Sequence, residues 1–352
     1  MTQRIPIPDL GRLAMSQDQV SRLPRSQREL RVVELVRESH SLLDVGIANH
    51  IIADNRSLRG VVTLFSGGND STVLAHVFKG RSTHAAHANT GVGIEQTRQY
   101  VRDVCADWGL PLLERKPPRE DDSYRAQVLM HGFPGPGRHA RMYQRLKERA
   151  LGLIATELVL QPLRQRVVYL AGRRRTESSR RANVPELERW GSVVFVSPLV
   201  NWTKPDMNTY RIMTAKDLLP GGQVPVNEVS DLIHMSGECL CGAFASYNER
   251  DMISEWYPEA FFDIEELQKT LASYSADFIH PRVLADYRRG TMRYEQGLRK
   301  TKPSPPKPIP AWAKVWGWSG DPELLKKSNE KPVSGRLCSS CDAKWHESAI
   351  HA

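Results

Sequence analysis

A chain of 352 residues with 40% hydrophobic and 25% charged residues has ordinary globular composition and enough length for one large domain or two smaller ones. No apolar run approaches the ~20 residues of a membrane span, the first twelve residues hold no apolar core of a secretory leader, and five cysteines are too few for a disulfide scaffold, so a cytoplasmic chain with no membrane partner is expected. The net charge of +9 is concentrated in Arg138–Arg181, where twelve Lys/Arg face three acids while the rest of the chain balances; such a segment favours phosphates of a nucleotide or a nucleic acid, or else solvates a helix face and a loop.

In chain order, Leu30, Val33, Leu35, Val36, Leu42, Leu43 and Ile47 recur at helical intervals and predict a helix over 26–55. The run Val61-Val62-Thr63-Leu64-Phe65 predicts a buried strand, followed by a helix over 71–78. A second strand is expected at 83–88, a helix at 94–108 and a short strand at 112–114. Residues 116–137, rich in Pro, Gly and Asp, read as a loop or lid. A helix over 140–160 and strands at 167–171 and 193–196 complete the pattern. Strands alternating with helices predict an α/β fold: an open, mainly parallel sheet with helices on both faces, plus a helical C-terminal region. The organisation expected is a helical segment 1–58, a nucleotide-binding α/β domain 59–206, a mainly helical extension 207–301, a Pro-rich extended linker 302–310 and a tail 311–352.

Ser66-Gly67-Gly68-Asn69-Asp70-Ser71-Thr72 lies between a strand and a helix. Its glycines permit a tight turn whose N–H groups converge on one anion, and the helix N-terminus adds partial positive charge. The hydroxyls of Ser66 and Ser71 suit phosphate oxygens, and Asp70 suits Mg²⁺, the counter-ion of a leaving pyrophosphate. Arg173, Arg174, Arg175 and Arg181 follow the strand 167–171 at its carboxyl end, where open α/β sheets gather ligands. Glu177 is placed to orient Arg181 if 176–182 is helical, and Lys147 on the basic helix to reach a phosphate. His84 and His87, three apart on a strand, face opposite sides, so at least one belongs to the core. Trp202 reads equally as pocket wall or core. Tyr124, His131 and Arg138 are lid candidates without an assigned role, and Cys105 reads as a small core residue.

The intact SGG-x-DS loop resembles the pyrophosphate loop of the adenine nucleotide α-hydrolase superfamily. Four later segments resemble its phosphoadenosine phosphosulfate reductase branch. They are Asn89 to Thr97, Gly132-Phe133-Pro134 with the basic stretch Arg141–Lys147, Gly172 to Arg181, and Pro198 to Thr203. The resemblance implies ATP with its pyrophosphate on 66–72, adenosine near Thr90 and Gly91, and a nucleotide-binding segment Gly172 to Arg181 in which Arg173, Arg174 and Arg181 meet the anion and Glu177 orients Arg181. It also raises a metal centre held by Cys239, Cys241, Cys338 and Cys341, since some members carry a [4Fe–4S] cluster on an adjacent cysteine pair and a later Cys-x-x-Cys. Here Leu240 separates the first pair, and zinc or free thiols remain alternatives.

This chain lacks the C-terminal Glu-Cys-Gly-Leu-His-like motif of the branch's reductases, and its loop is undegraded. Both departures point toward ATP use. The expected function is an ATP pyrophosphatase-type adenylating enzyme that activates DNA or tRNA for sulfur transfer with a sulfur-donor protein, as in the sulfur-transfer subunits of DNA phosphorothioation. The alternatives are a sulfonucleotide reductase and a nucleotide-gated nucleic-acid-binding module. The catalytic residues expected are Asp70, Ser71, Arg174 and Arg181.

Overall fold

The computed structural model describes residues 4–7, 11–178, 181–245 and 247–317. A short α1 (Gln17–Ser21) and a long α2 (Arg25–Ile47) lead through a π-helical turn at Ala48–Ile52 into β1 (Ser57–Leu64). Then come α3 (Asn69–Phe78), β2 (His84–Ala88), α4 (Glu95–Asp107), β3 (Leu112–Arg115) and α5 (Tyr124–His131). The basic stretch forms α6 (His139–Tyr143), a π-helical turn at Gln144–Glu148 and α7 (Arg149–Leu158). Next are β4 (Gln165–Leu170), β5 (Leu187–Trp190), β6 (Val193–Val196) and α8 (Lys204–Ala215). The C-terminal helices are α9 (Glu228–Ile233), α10 (Tyr247–Trp256), α11 (Pro258–Ala272) and α12 (Pro281–Glu295).

The six strands form one sheet in the order β3-β2-β1-β4-β6-β5, parallel except for the antiparallel pair β5–β6. Val62 of β1 stands opposite His84 of β2 and Tyr169 of β4. Strand alternation sends neighbouring residues to different cores. Val61, Val168, Leu170, Val194 and Val196 pack with residues of α2, α3 and α8. Val62, Val167, Tyr169 and Phe195 pack with Leu151, Ile154 and Ala155 of α7. Both faces of the sheet are therefore covered, which is why the central strands read as near-continuous apolar runs.

Three elements differ from the sequence expectation. β5 is an edge strand, Leu-Glu-Arg-Trp, whose charged residues hide the alternation that marks a strand. The lid contains a true helix, α5, capped by the Ser123 side chain and stopped at Gly132, and the flanking prolines and glycines mask it. The long first helix ends in its π turn rather than running to residue 55. Residues 302–310 contain neither helix nor strand, but Ile309 at their end is buried in one cluster with Phe133, Leu240, Phe261 and Trp316. This run is thus anchored at its far end by apolar burial. None of the helices among the described residues is long and apolar enough to cross a membrane.

Candidate nucleotide site

The strand order reverses direction between β1 and β4, and the carboxyl ends of these two strands open a crevice, the usual ligand position in open α/β sheets. A cavity of about 240 Å³ lies there, floored by Leu64 at the end of β1, by Phe65 and Ser66 just beyond it, and by Ala171 and Gly172 after β4.

The loop geometry follows from its residue types. Gly67 adopts φ +78°, and a Cβ there would sit 2.8 Å from Thr97 Cγ2, so both conformation and space demand glycine. Ser66 and Ser71 hydroxyls stand 3.1 Å apart, and the Ser66 N–H donates to Ser71 Oγ at 3.3 Å. Ser71 and Thr72 hydroxyls donate to the Gly68 carbonyl at 2.9 and 3.0 Å, while Asn227 Nδ2 donates to the Gly67 carbonyl at 2.8 Å. The carbonyls are thereby held from behind. The first-turn amides of α3 have no intrahelical acceptor and are the natural anion donors.

Cations outnumber acids around the crevice. Lys147, Arg173, Arg174, Lys204 and Arg211 line it, against Asp70, Glu177 and Glu238. Arg174 Nε donates to Asp70 Oδ2 at 2.7 Å, so the carboxylate expected to serve Mg²⁺ is committed to a guanidinium. Arg173 Nε donates to Ser197 Oγ at 2.9 Å, and burial pulls its pKa down. The Arg-rich segment divides in two. Arg173 and Arg174 reach the crevice. Arg175 turns to Glu186 and the Val184 carbonyl, and Arg181 is buried against Glu177 at 3.4 Å, behind the lining. Residues 175–177 form a turn and a bend and Ser178 is irregular, so 176–178 are not helical, and Ser179 and Arg180 lie outside the described residues.

Thr90 and Gly91, expected near the adenosine, do not line this crevice. They line a second cavity of about 690 Å³ between the lid and α11. Thr90 is buried because its N–H and hydroxyl donate to Glu238 Oε1 (2.9 Å) and to the Glu238 carbonyl (2.6 Å). Glu238 itself faces the nucleotide crevice, so the segment Ser236–Glu238 forms the crevice's roof. His87 holds that roof from below, with Nε2 2.9 Å from Glu238 Oε2 and Nδ1 2.8 Å from the Phe65 carbonyl. Trp202 is fully buried core, and so is Cys105, whose thiol burial pushes its pKa up to about 12.

Sequence reasoning missed the contribution of α8. Lys204, Asn208 and Arg211, at i, i+4 and i+7, present one face to the crevice, and Arg211 Nη1 donates to Asn69 Oδ1 at 2.8 Å. The signal was available as helical spacing directly after Trp202-Thr203. Thr203 caps α8 reciprocally with Asp206, and Asp206 in turn binds buried Arg31.

Cys239 is partly buried and Cys241 buried; Tyr124 Oη donates to the Cys241 carbonyl at 3.1 Å and Trp316 Nε1 to the Leu240 carbonyl at 2.9 Å. The chain therefore returns to the Cys-x-Cys loop at Trp316. Cys338 and Cys341 lie outside the described residues, and no group of three or more His, Cys, Asp or Glu placed to hold a metal occurs among the described residues.

A doubly covered, mainly parallel sheet with a strand–glycine–helix turn at its switch point defines a doubly wound α/β domain. Residues 60–219 match the family model of the phosphoadenosine phosphosulfate reductase domain. An adenosine 5′-phosphosulfate reductase of Chelativorans sp. is 25% identical over 192 residues, covering 54% of this chain and 74% of the relative. A second, from Mesorhizobium japonicum, is 24% identical over 152 residues, covering 43% of this chain and 56% of the relative. Among solved structures, a phosphoadenylyl-sulfate reductase of Candida auris in a phosphate complex is 20% identical with a TM-score of 0.38, covering 62% of this chain and 93% of the other. A Candida glabrata FMN adenylyltransferase with FAD and pyrophosphate is 11% identical with a TM-score of 0.39, covering 64% and 70%.

Proposed function

We propose that the chain is an ATP-dependent adenylating enzyme that activates a nucleic acid, DNA or tRNA, for sulfur transfer. The observation that carries this reading is the intact Ser66–Thr72 loop, with its carbonyls tied back, facing Arg174 across the crevice. In this reading the β- and γ-phosphates lie on the α3 amides and the Ser66 and Ser71 hydroxyls, with Arg174, Lys147 and Arg211 neutralising charge. An acceptor oxygen attacks the α-phosphorus, the bond to the bridging β-oxygen breaks, and pyrophosphate leaves. A sulfur nucleophile carried by a partner protein then displaces AMP from the acceptor.

Mg²⁺ commonly binds one or two protein carboxylates together with substrate phosphates and stabilises the leaving pyrophosphate. Asp70 is the carboxylate that fits this role, once Arg174 yields to the nucleotide. A cluster or zinc ion on Cys239 and Cys241 would need two further ligands, and the described residues bring none.

The named relatives favour a second reading, reduction of a sulfonucleotide. Pyrophosphate release from ATP, measured with and without DNA or tRNA, separates the two. The adenylation reading expects release that Asp70→Ala and Ser71→Ala abolish in folded protein. Sulfite release from adenosine phosphosulfate, with no pyrophosphate from ATP, would overturn it.

A further inference from the structure

The stretch from His139 to Leu158 has two faces. Tyr143, Lys147 and Leu151, spaced by four, line the nucleotide crevice. Arg145 and Arg149 are each offset by two residues from that row, roughly half a turn around the helix, with Arg141 and Arg138 continuing their line. The two faces are separated by one helix, about 10 Å across.

Arg138 and Arg141 form no ion pair among the described residues. Arg138 Nη1 donates to the His131 carbonyl at 2.5 Å, and Arg141 Nη2 meets His131 Nε2 at 3.1 Å. Arg145 and Arg149 share a single buried carboxylate, Asp122. A second basic run converges on the same corner. Residues 281–302 hold seven Lys/Arg against two acids, an excess that the balanced remainder of the sequence conceals. Arg282, at the start of α12, pairs with Asp121. Asp286 pairs with Arg289 at 3.6 Å and also acts electrostatically on Arg141, so α12 faces the cluster through the residue that Arg289 pairs with.

The crowding shows in the titration of its members. Burial first, then Arg141, Arg138, His280 and Arg145, push His131 down to about 4. Burial, with Arg145 and Arg138, also pulls Arg141 down against the opposing pull of Asp286. Like charges held this closely disfavour the folded state, and a bound polyanion relieves them. Guanidinium forks match phosphate oxygens. The segment 138–149 carries none of the exposed large apolar side chains that a membrane-lying helix needs.

We propose that Arg138, Arg141, Arg145, Arg282 and Arg289 form a docking face for the phosphate backbone of a nucleic acid, one helix away from the nucleotide crevice. The proposal rests on the adenylation reading only for calling that polymer the acceptor. The test is fluorescence anisotropy with a short DNA duplex and, separately, unfractionated tRNA, across a salt series. Arg138→Gln/Arg141→Gln should weaken binding roughly tenfold and reduce the log–log salt slope by about 2, near 0.9 per lost phosphate contact. ATP affinity should stay unchanged. Arg282→Gln/Arg289→Gln, at half-exposed or exposed positions, should act in the same direction and covers the case in which the first variant fails to fold. No binding of either polymer by the wild-type chain, an unchanged slope in both folded variants, or binding of phosphatidylserine vesicles in place of both polymers overturns the proposal. Pyrophosphate release and wild-type nucleic-acid binding, with an unchanged salt slope in both folded variants, remove this face alone. Nucleic-acid binding through it without pyrophosphate release removes the adenylation reading alone.

Discussion

At the scale of residues, the arginines after β4 separate by what they touch. Arg174 meets the ligand-facing carboxylate of Asp70, so Arg174→Ala should weaken nucleotide binding by about 1.5–3 kcal/mol in a calorimetric titration. Arg181 touches Glu177 instead, and Arg181→Ala should lower the melting temperature more than the affinity. His87 makes a second distinction. The Phe65 carbonyl and the Glu238 carboxylate only accept, so an imidazolium with two N–H groups satisfies both. Burial opposes that charge, but Glu238, the Phe65 carbonyl and Glu114 outweigh it, and the pKa stands above 6.5. A histidine raised in the folded state gives stability that is complete below 6.5 and is lost as pH rises through the raised value. The wild-type melting temperature should fall along that alkaline limb and His87→Gln should flatten it; parallel profiles would remove His87 from the account.

At the scale of elements, α8 shows how a binding surface escapes notice. Lys204, Asn208 and Arg211 have the composition of a solvated helix face, and only the fold turns that face into the crevice. Arg211→Ala should cost about 1 kcal/mol of nucleotide affinity with an unchanged melting temperature, read by titration and thermal melting on the same sample. The loop after β1 was legible because its glycine and hydroxyl spacing is local. The roof Ser236–Glu238 was not, because its position depends on His87 and Thr90, nearly 150 residues upstream (148 for Thr90). The anchoring of the chain near its C-terminus was equally hidden. Trp316 is fully buried, edge-on to Phe261 at 5.3 Å, and seated where a Cβ on Gly242 would come within 2.6 Å of its Nε1. Trp316→Ala should cost about 3–5 kcal/mol in denaturant unfolding. A loss under 1 kcal/mol would mean that the Cys-x-Cys loop does not depend on it.

At the scale of the whole molecule, the sheet was legible from its Val-rich runs, which report burial on both faces. Its order was not, since sequence alone does not show that β4 enters beside β1. That pairing has a consequence for folding. Asp70 and Arg174 are 104 positions apart in the chain and meet only when β1 and β4 are zipped. A nucleotide spanning them acts as a clasp across the central seam, so its binding energy adds to the cost of parting the two halves. At a ligand concentration a hundred times its dissociation constant, that addition is about 2.7 kcal/mol. Hydrogen exchange should then slow in β1 and β4 together when ATP is added, rather than in the loop alone.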